Sequence, residues 1–316
     1  MALLKLKPAC KEAIWGGRKL IEDFGKKYDG DNLAESWELS VHPAGSSVVA
    51  SGEDSGIPLS SYIEKHGKGV LGTNCERFDD FPILIKFIDA KQNLSVQVHP
   101  DDAYAREEEG QYGKTEMWYI LEAEEGAKLY LGCKSRMTKE EFLSHIKGNT
   151  LEDVLHAVPV KKGDVFFIES KTLHAIGAGI VLAEIQQNSD VTYRVYDYGR
   201  IGADGKPREL HIDKALAVAR LEPPRTDYDF GPHIGACDCF VVDRAAVTGS
   251  VFSDKAGADS FVSLLITDGA AKVSCGTDVF EARKGDSFFV EANSGTFEIS
   301  GNAEIVITRI PAAGDF

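Results

Sequence analysis

The sequence predicts a mainly β protein in which a few helices decorate a β barrel or sandwich. Three observations favour this fold class: short apolar runs, few helical patterns and one internal repeat. The apolar runs are bounded by Gly, Asp, Asn and Pro, which is typical of all-β folds. The predicted strands are Ile83–Ile88, Leu94–His99, Met117–Leu121, Ala127–Leu131, Val165–Ile168, Ile180–Ile185, Phe240–Val242, Phe261–Ile266, Ser287–Val290 and Ile305–Thr308.

Helical patterns are fewer and lie apart from most of these runs. Thr138 followed by Glu141 indicates a capping box at the start of one of them. Apolar residues three and four positions apart predict helices over Arg18–Phe24, Leu59–Lys65, Lys139–Lys147, Leu151–Ala157 and Asp213–Leu221.

The internal repeat indicates two similar β units. Gly163–Ser170 (GDVFFIES) recurs as Gly285–Ala292 (GDSFFVEA), and in each copy Gly-Asp predicts a turn before a strand. The proline-containing segment Leu221–Asp227 between the copies has the composition of a connector. We therefore predict one domain over residues 1–225 and a second, smaller domain over 226–316.

Composition and charge exclude several classes of protein. The chain has 316 residues, 43% of them hydrophobic, and a net charge of −15, which disfavours disorder and repels nucleic acid and anionic membranes. No apolar run approaches the roughly 20 residues of a membrane span, and the first residues lack the apolar core of a signal peptide. We expect a cytoplasmic protein with no nucleic-acid, membrane or obligatory protein partner.

Potential metal ligands follow the strand periodicity. In Ser95–Pro100 the alternation places Gln97 and His99 on one face of a strand. In the next predicted strand, Lys114 and Glu116 share a face in the same way. His174 follows Gly163 by 11 residues, after a turn and a strand. Nitrogen and oxygen donors from these segments are predicted to converge.

These motifs resemble the two metal motifs of the cupin superfamily, which implies a jelly-roll barrel. Gln97 stands where many cupins have the first histidine. In the usual second motif, Pro and Gly fall at the positions of Glu169 and Lys171. Because this chain departs at both positions, we expect the loop before His174 to differ in shape, although the spacing to Gly163 is kept.

Further segments along essentially the whole chain resemble the short bacterial form of type I mannose-6-phosphate isomerases. The second predicted domain resembles a smaller cupin. The segments are WGG from Trp15, ESWELS from Glu35, PILIK from Pro82, LSVQVHPDD from Leu94, KTEMW from Lys114, EIQQNSD from Glu184, TYRVYD from Thr192, ELHI from Glu209 and KAL from Lys214.

This resemblance implies one zinc ion and a sugar phosphate substrate, with mannose 6-phosphate and fructose 6-phosphate interconverted through an enediol. The residues that match the zinc ligands of the family are Gln97, His99, Glu116 and His174. Such a donor set keeps zinc a Lewis acid toward sugar oxygens.

The resemblance also implies that Arg194 is catalytic. Lys114, on the same predicted face as Glu116, is a second candidate catalytic residue of the pocket. Arg194, Lys114 and Lys86 are candidates for holding the phosphate, because arginine grips phosphate oxygens with two donors.

Competing interpretations of these residues stay open from the sequence. Arg194 could be a structural ion-pair partner of Asp197 or Asp190, and Lys114 a solvated lysine at a strand edge. The other functions to weigh are an iron-dependent cupin dioxygenase and a sugar-binding cupin without turnover. Aligning Gly285 on Gly163 puts Thr296 where His174 stands, so the second domain is expected to hold no metal.

Overall fold

Strands account for 42% of the chain and helices for 15% in the computed structural model, which describes residues 2–202 and 205–316. The predicted fold class, mainly β with helices as additions, is confirmed. The strands are β1 Leu3–Lys7, β2 Ala9–Lys11, β3 Glu35–Leu39, β4 Val48–Val49, β5 Ile83–Ala90, β6 Val96–Val98, β7 Glu116–Ala123, β8 Lys128–Cys133, β9 Leu155–Pro159, β10 Val165–Ile168, β11 His174–Ile176, β12 Ile180–Gln187, β13 Tyr193–Tyr196, β14 Gly235–Cys237, β15 Phe240–Ala256, β16 Val262–Cys275, β17 Asp278–Arg283, β18 Ser287–Val290 and β19 Gly295–Arg309.

The helices are short. None of them, among the described residues, is long and apolar enough to cross a membrane. The α-helices are α1 Lys19–Glu22, α2 Leu59–His66, α3 Asp102–Glu108, α4 Lys139–Lys147, α5 Leu151–Val154 and α6 Ile212–Val218, and two 3₁₀ turns cover Lys68–Leu71 and Thr73–Cys75.

The chain divides into two compact units. The first contains the chain up to Lys11, Arg18–Phe87 and Phe230–Phe316, and the second contains Glu12–Gly17 and Ile88–Asp229. The division at Asp229 lies close to the predicted boundary near residue 225. Most of the first 87 residues, however, cluster with the C-terminal residues, because β1 pairs with β18 along its length.

The first unit is built on an antiparallel sheet with strand order β14-β15-β19-β16-β18-β1-β4, in which β17 also pairs with β16. Alternate residues of β16, such as Val262, Leu264 and Ile266, are fully buried and belong to one apolar cluster with Phe288 and Phe297. Membership of this cluster thus follows the period of two of a strand, although the residues between its members over 262–267 are buried as well.

The second unit contains strands in the order β10-β7-β12 and a five-stranded sheet with the order β13-β6-β11-β8-β9. Its apolar cluster joins β6 to the helices α4 and α5 through buried side chains such as Val96, Val98, Phe142 and Leu151. The candidate ligands come from β6, β7 and β11 of this unit or from the residues beside them.

The sequence repeat is a structural repeat of the turn before β10 and β18. Gly163 and Gly285 adopt φ values of 93° and 92°. Each donates its N–H over 2.8 Å, to Ile120 and Ile266 respectively. In both turns the aspartate after the glycine accepts from the N–H three residues before it, at 2.9 and 3.0 Å. The prediction of two similar β units is confirmed at the level of single hydrogen bonds.

The strand after each turn pairs with its neighbour in the same register. Ile168, at the end of β10, lies opposite Glu116, and Val290, at the end of β18, lies opposite Val262. Val262 therefore occupies in the first unit the place that Glu116 has in the second. A carboxylate and an apolar side chain thus distinguish the two copies.

The helix predictions hold best where the sequence supplies a cap. Thr138 and Glu141 form the predicted capping box, with reciprocal hydrogen bonds of 3.2 and 2.7 Å. The predicted helix Leu151–Ala157 is wrong beyond Val154, because the chain turns into β9 and pairs there with β8. One helix, α3, was not predicted. Neither were nine strands, most of which have five residues or fewer: β1 to β4, β9, β11, β13, β14 and β17.

We expect alanine at the two equivalent glycines to have unequal effects. Gly163→Ala should lower the free energy of unfolding by about 1 kcal/mol, the cost of a positive φ. Gly285→Ala should lower it by about 3 kcal/mol, because its Cβ would also lie 2.2 Å from the carbonyl oxygen of Phe24, whereas nothing lies within 4 Å at Gly163. Urea unfolding of both variants measures the difference, and equal losses would contradict the steric argument.

Candidate metal centre

Three predicted ligands meet in the second unit. His99 directly follows β6, while Glu116 and His174 are the first residues of β7 and β11. All three are buried, and one ligand atom from each lies within 4.8 Å of the other two. The strand ends therefore bring two imidazoles and one carboxylate to a single point.

Both histidines are held in the tautomer that a metal requires. Nδ1 of His99 donates to the carbonyl of Val191 at 2.8 Å, and Nδ1 of His174 donates to the carbonyl of Thr172 at 2.9 Å. Carbonyl oxygens accept only, so these contacts fix the proton on Nδ1 and leave the lone pair on Nε2. Burial lowers the pKa of His174 to about 4, which keeps that ring neutral near pH 7.

The Nε2 atoms are directed at Glu116. Its Oε1 lies 3.5 Å from Nε2 of His174, and its Oε2 lies 3.8 Å from Nε2 of His99. These separations are longer than hydrogen bonds and are compatible with two ligands on one ion.

Gln97 and Arg194 lie on the same face through strand register. Gln97 of β6 is directly opposite His174 on one side and Arg194 of β13 on the other. Paired residues point to the same face of a sheet. The Gln97 amide nitrogen is 3.3 Å from Nε2 of His174. Rotating the side-chain amide by a half-turn exchanges its nitrogen and oxygen, so that the oxygen then lies beside Nε2 of His174.

Lys114 is buried beside the same carboxylate. Its Nζ lies 2.9 Å from Oε2 of Glu116 and 3.3 Å from Nε2 of His99. The side chain is 5% exposed, so the interpretation as a solvated strand-edge lysine is wrong. A buried ammonium interacts more strongly with neighbouring charges than an ammonium in water, because the local dielectric is lower.

Glu184 joins this group and was not assigned to the site from the sequence. It is buried on β12, accepts a hydrogen bond from the indole of Trp118 at 2.9 Å and lies 3.7 Å from Nζ of Lys114. Every residue of β12 is buried, so alternation gave no signal. Glu184 lies opposite Trp118 of β7, so knowledge of this strand pairing would have been needed to assign Glu184 to the site.

The charges of this cluster favour a cation. Two carboxylates, Glu116 and Glu184, and one ammonium, Lys114, sum to −1 in a site where the imidazoles are neutral. A divalent ion changes this sum to +1. Buried charge is costly unless it is paired, and the donor set of imidazole nitrogens and a carboxylate is one that zinc accepts. The residues present therefore fit a divalent metal.

Arg194 is half-buried and is held by neutral oxygens. Its Nε donates to the hydroxyl of Ser95 at 3.2 Å and its Nη1 to the carbonyl of Glu209 at 2.9 Å. Asp197, considered as its ion-pair partner, instead accepts from Arg200 and Arg208. Among the described residues Arg194 has no ion pair with Asp197 or Asp190, which contradicts that alternative.

Lys86, the remaining phosphate candidate from the sequence, belongs to the first unit. It is buried and its Nζ lies 3.4 Å from Oε2 of Glu35. Its ammonium also lies 5.3 Å from the ring centroid of Trp37. These contacts give Lys86 a structural role in its own unit.

The loop before His174 keeps the glycine conformation at a residue that is not glycine. Lys171 adopts a φ of 71°, in the left-handed region that glycine tolerates best. Its N–H donates to the carbonyl of His99 at 2.7 Å, and its ammonium pairs with Asp101. Glu169 pairs with Arg220 at 2.7 Å.

Two β units built on the same Gly-Asp turn, one with a buried His, Glu and His group, define a cupin protein with a candidate metal centre. A family model for the catalytic domain of type I phosphomannose isomerases matches residues 3–129, and one for the cupin domain of mannose-6-phosphate isomerases matches residues 233–310. The chain belongs to the type I mannose-6-phosphate isomerase family.

Relatives of similar length support this assignment. The mannose-6-phosphate isomerase of Streptococcus mutans is 35% identical over 97% of this chain and 98% of its own. ManA of Bacillus subtilis is 37% identical over 97% and 98%. A crystal structure of the mannose 6-phosphate isomerase from Bacillus subtilis superposes with a TM-score of 0.88 at 33% identity and covers 98% of this chain and 99% of that one.

We expect Lys171→Gly to be more stable than Lys171→Ala by about 1 kcal/mol. Both variants lose the ion pair with Asp101, but only glycine adopts the positive φ without steric cost. Because the ion pair is removed from both, the comparison isolates the backbone conformation. Guanidinium unfolding of the two variants is the measurement, and an alanine variant as stable as the glycine variant would argue against a left-handed residue at this position.

Proposed function

We propose that this protein is a zinc-dependent aldose–ketose isomerase that interconverts mannose 6-phosphate and fructose 6-phosphate through an enediol. The observation that carries the proposal is the convergence of His99, Glu116 and His174 beside the buried ammonium of Lys114. The choice of substrate rests on family membership, because the named relatives of this chain are mannose-6-phosphate isomerases.

In this proposal Gln97, His99, Glu116 and His174 hold one zinc ion. The two imidazoles bind through Nε2, because Nδ1 of each is occupied by a backbone carbonyl. Gln97 binds through its amide oxygen after the half-turn described above. Zinc would supply Lewis acidity toward the oxygens on C1 and C2 of the sugar.

Lys114 and Arg194 supply the positive charge that the reaction needs. Removing the proton from C2 or C1 places negative charge on the oxygens of the enediolate that precedes the neutral enediol, and fixed cations stabilise this charge without reorganisation. The two buried carboxylates near Lys114, at 2.9 and 3.7 Å from its Nζ, hold the ammonium in place. Arg194, on the same face as Gln97, is assigned to the reacting sugar or to its phosphate, for which its guanidinium offers paired donors.

We expect isomerase activity to depend on the metal and on His174. Chelation should lower the rate of fructose 6-phosphate formation from mannose 6-phosphate by about 100-fold or more, and zinc should restore it. His174→Ala should have the low activity of the chelated protein and should not recover with zinc, because a ligand is missing. A coupled assay of product formation measures both effects.

His145→Ala is a suitable control, because that partly exposed histidine of α4 is not one of the candidate site residues and its ring is hydrogen-bonded to Thr150 at 2.9 Å. Its loss should leave the rate unchanged. Metal analysis of the same samples distinguishes failure of the isomerase proposal from failure of the proposed metal site. Protein that binds metal but forms no fructose 6-phosphate would overturn the isomerase proposal and favour a cupin dioxygenase. Full activity after complete removal of metal would overturn the metal site instead.

We expect Arg194→Lys to lower kcat/KM by about 10-fold to 100-fold with no change in metal content. Lysine keeps the charge but loses the planar pair of donors that grips an oxyanion. Arg136→Lys is the matched control, since Arg136 is exposed and pairs with Glu222. Steady-state kinetics with zinc analysis are the measurements. A variant with wild-type kcat/KM would leave Arg194 a purely structural residue.

A further inference from the structure

The first unit contains a cavity of about 290 Å³ whose polar lining is dominated by cations. Five basic residues line it, together with one acidic residue. We call it the basic cavity, and its charged lining consists of Lys5, Lys7, Lys26, Lys27, Arg283 and Asp286. In a chain with a net charge of −15, such a local excess of positive charge is opposite in sign to the rest of the protein.

Two of these cations are neutralised by the protein itself. Lys5 pairs with Asp286 at 2.8 Å, and Lys26 pairs at 2.6 Å with Glu38, which is fully buried. Lys26 also donates to the carbonyl of Gly285. These contacts tie β1, β3, the segment after α1 and the turn before β18 together. They hold the walls of the basic cavity in place.

Three cations are left over. Lys7, Lys27 and Arg283 are exposed, and none of them forms an ion pair within residues 2–202 and 205–316. They come from β1, from the segment after α1 and from β17, so folding brings together charges that are distant in sequence. Arg283 lies against Gly25, where a Cβ would be 3.2 Å from a guanidinium nitrogen. Like charges repel, so a bound anion would offset the repulsion among these three cations.

The remaining lining adds no negative side-chain charge. Leu6, Pro8 and Phe24 provide apolar surface, and Cys10 provides a half-buried thiol. Burial is the main cause of the raised pKa of Cys10, so the thiol is neutral near pH 7. Apolar walls of this kind lower the local dielectric and strengthen the attraction of an anion to the three cations.

We propose that the basic cavity binds the phosphate group of a small phosphorylated compound, at a site separate from the metal ligands. A phosphate dianion is opposite in sign to the three unpaired cations, and a guanidinium such as that of Arg283 can donate to two phosphate oxygens. A volume of about 290 Å³ lies at the lower end of small-molecule sites. It admits a phosphate with a short carbon skeleton rather than a polymer.

The test uses the full chain and inorganic phosphate as the probe, at constant ionic strength. Isothermal titration calorimetry compares the wild type with the double variant Lys27→Gln and Arg283→Gln. We expect the double variant to bind phosphate at least 10-fold more weakly at this site. Lys255→Gln serves as control, because Lys255 is an exposed lysine of the same unit, and it should bind as the wild type does.

Cys10 reports on the basic cavity itself. Phosphate should slow alkylation of Cys10 by N-ethylmaleimide several-fold in the wild type and in Lys255→Gln, but not in the double variant. All three proteins keep Arg194, so phosphate bound near the candidate metal ligands cannot produce this difference. Equal phosphate affinity in all three proteins, or an alkylation rate of Cys10 that phosphate does not change, would overturn the proposal.

Discussion

The register with which β6 pairs with its two neighbours is the constraint on which the candidate site depends. Gln97 faces His174 across one edge of β6 and Arg194 across the other. A shift of one residue in either pairing would turn a side chain to the opposite face of the sheet. Buried apolar residues on the other face, Val96 and Val98, make such a shift costly. The packing of the core of the second unit therefore also determines which side chains face the candidate site.

How far the sequence predicts this protein depends on the range of the interactions concerned. Alternation within one strand correctly grouped Gln97 with His99, and a local capping box correctly began α4. Glu184 was missed because β12 is buried on both faces and shows no alternation. The place of β1 was missed because it rests on the pairing of Leu3 with Val290, which joins the two ends of the chain.

The two β units share one turn, although only one of them has a candidate ligand, Glu116, opposite the strand that follows. Both retain the Gly-Asp turn with nearly the same φ and hydrogen bonds. Opposite the end of the following strand, one has Glu116 and the other Val262. Val262 is fully buried in the apolar cluster of its unit, so the position that carries charge in one copy contributes core packing in the other. The geometry of the turn is therefore independent of whether a carboxylate lies opposite the strand.

The oxygen atoms that orient His99 and His174 belong to the main chain. Nδ1 of each ring donates to a backbone carbonyl, that of Val191 or that of Thr172. Every residue supplies such an oxygen, whichever side chain it carries. A substitution at Val191 or Thr172 that leaves the backbone path unchanged therefore leaves both rings oriented as they are. The direction of the two Nε2 lone pairs is thus encoded in the path of the chain, not in the identity of the residues that hold the rings.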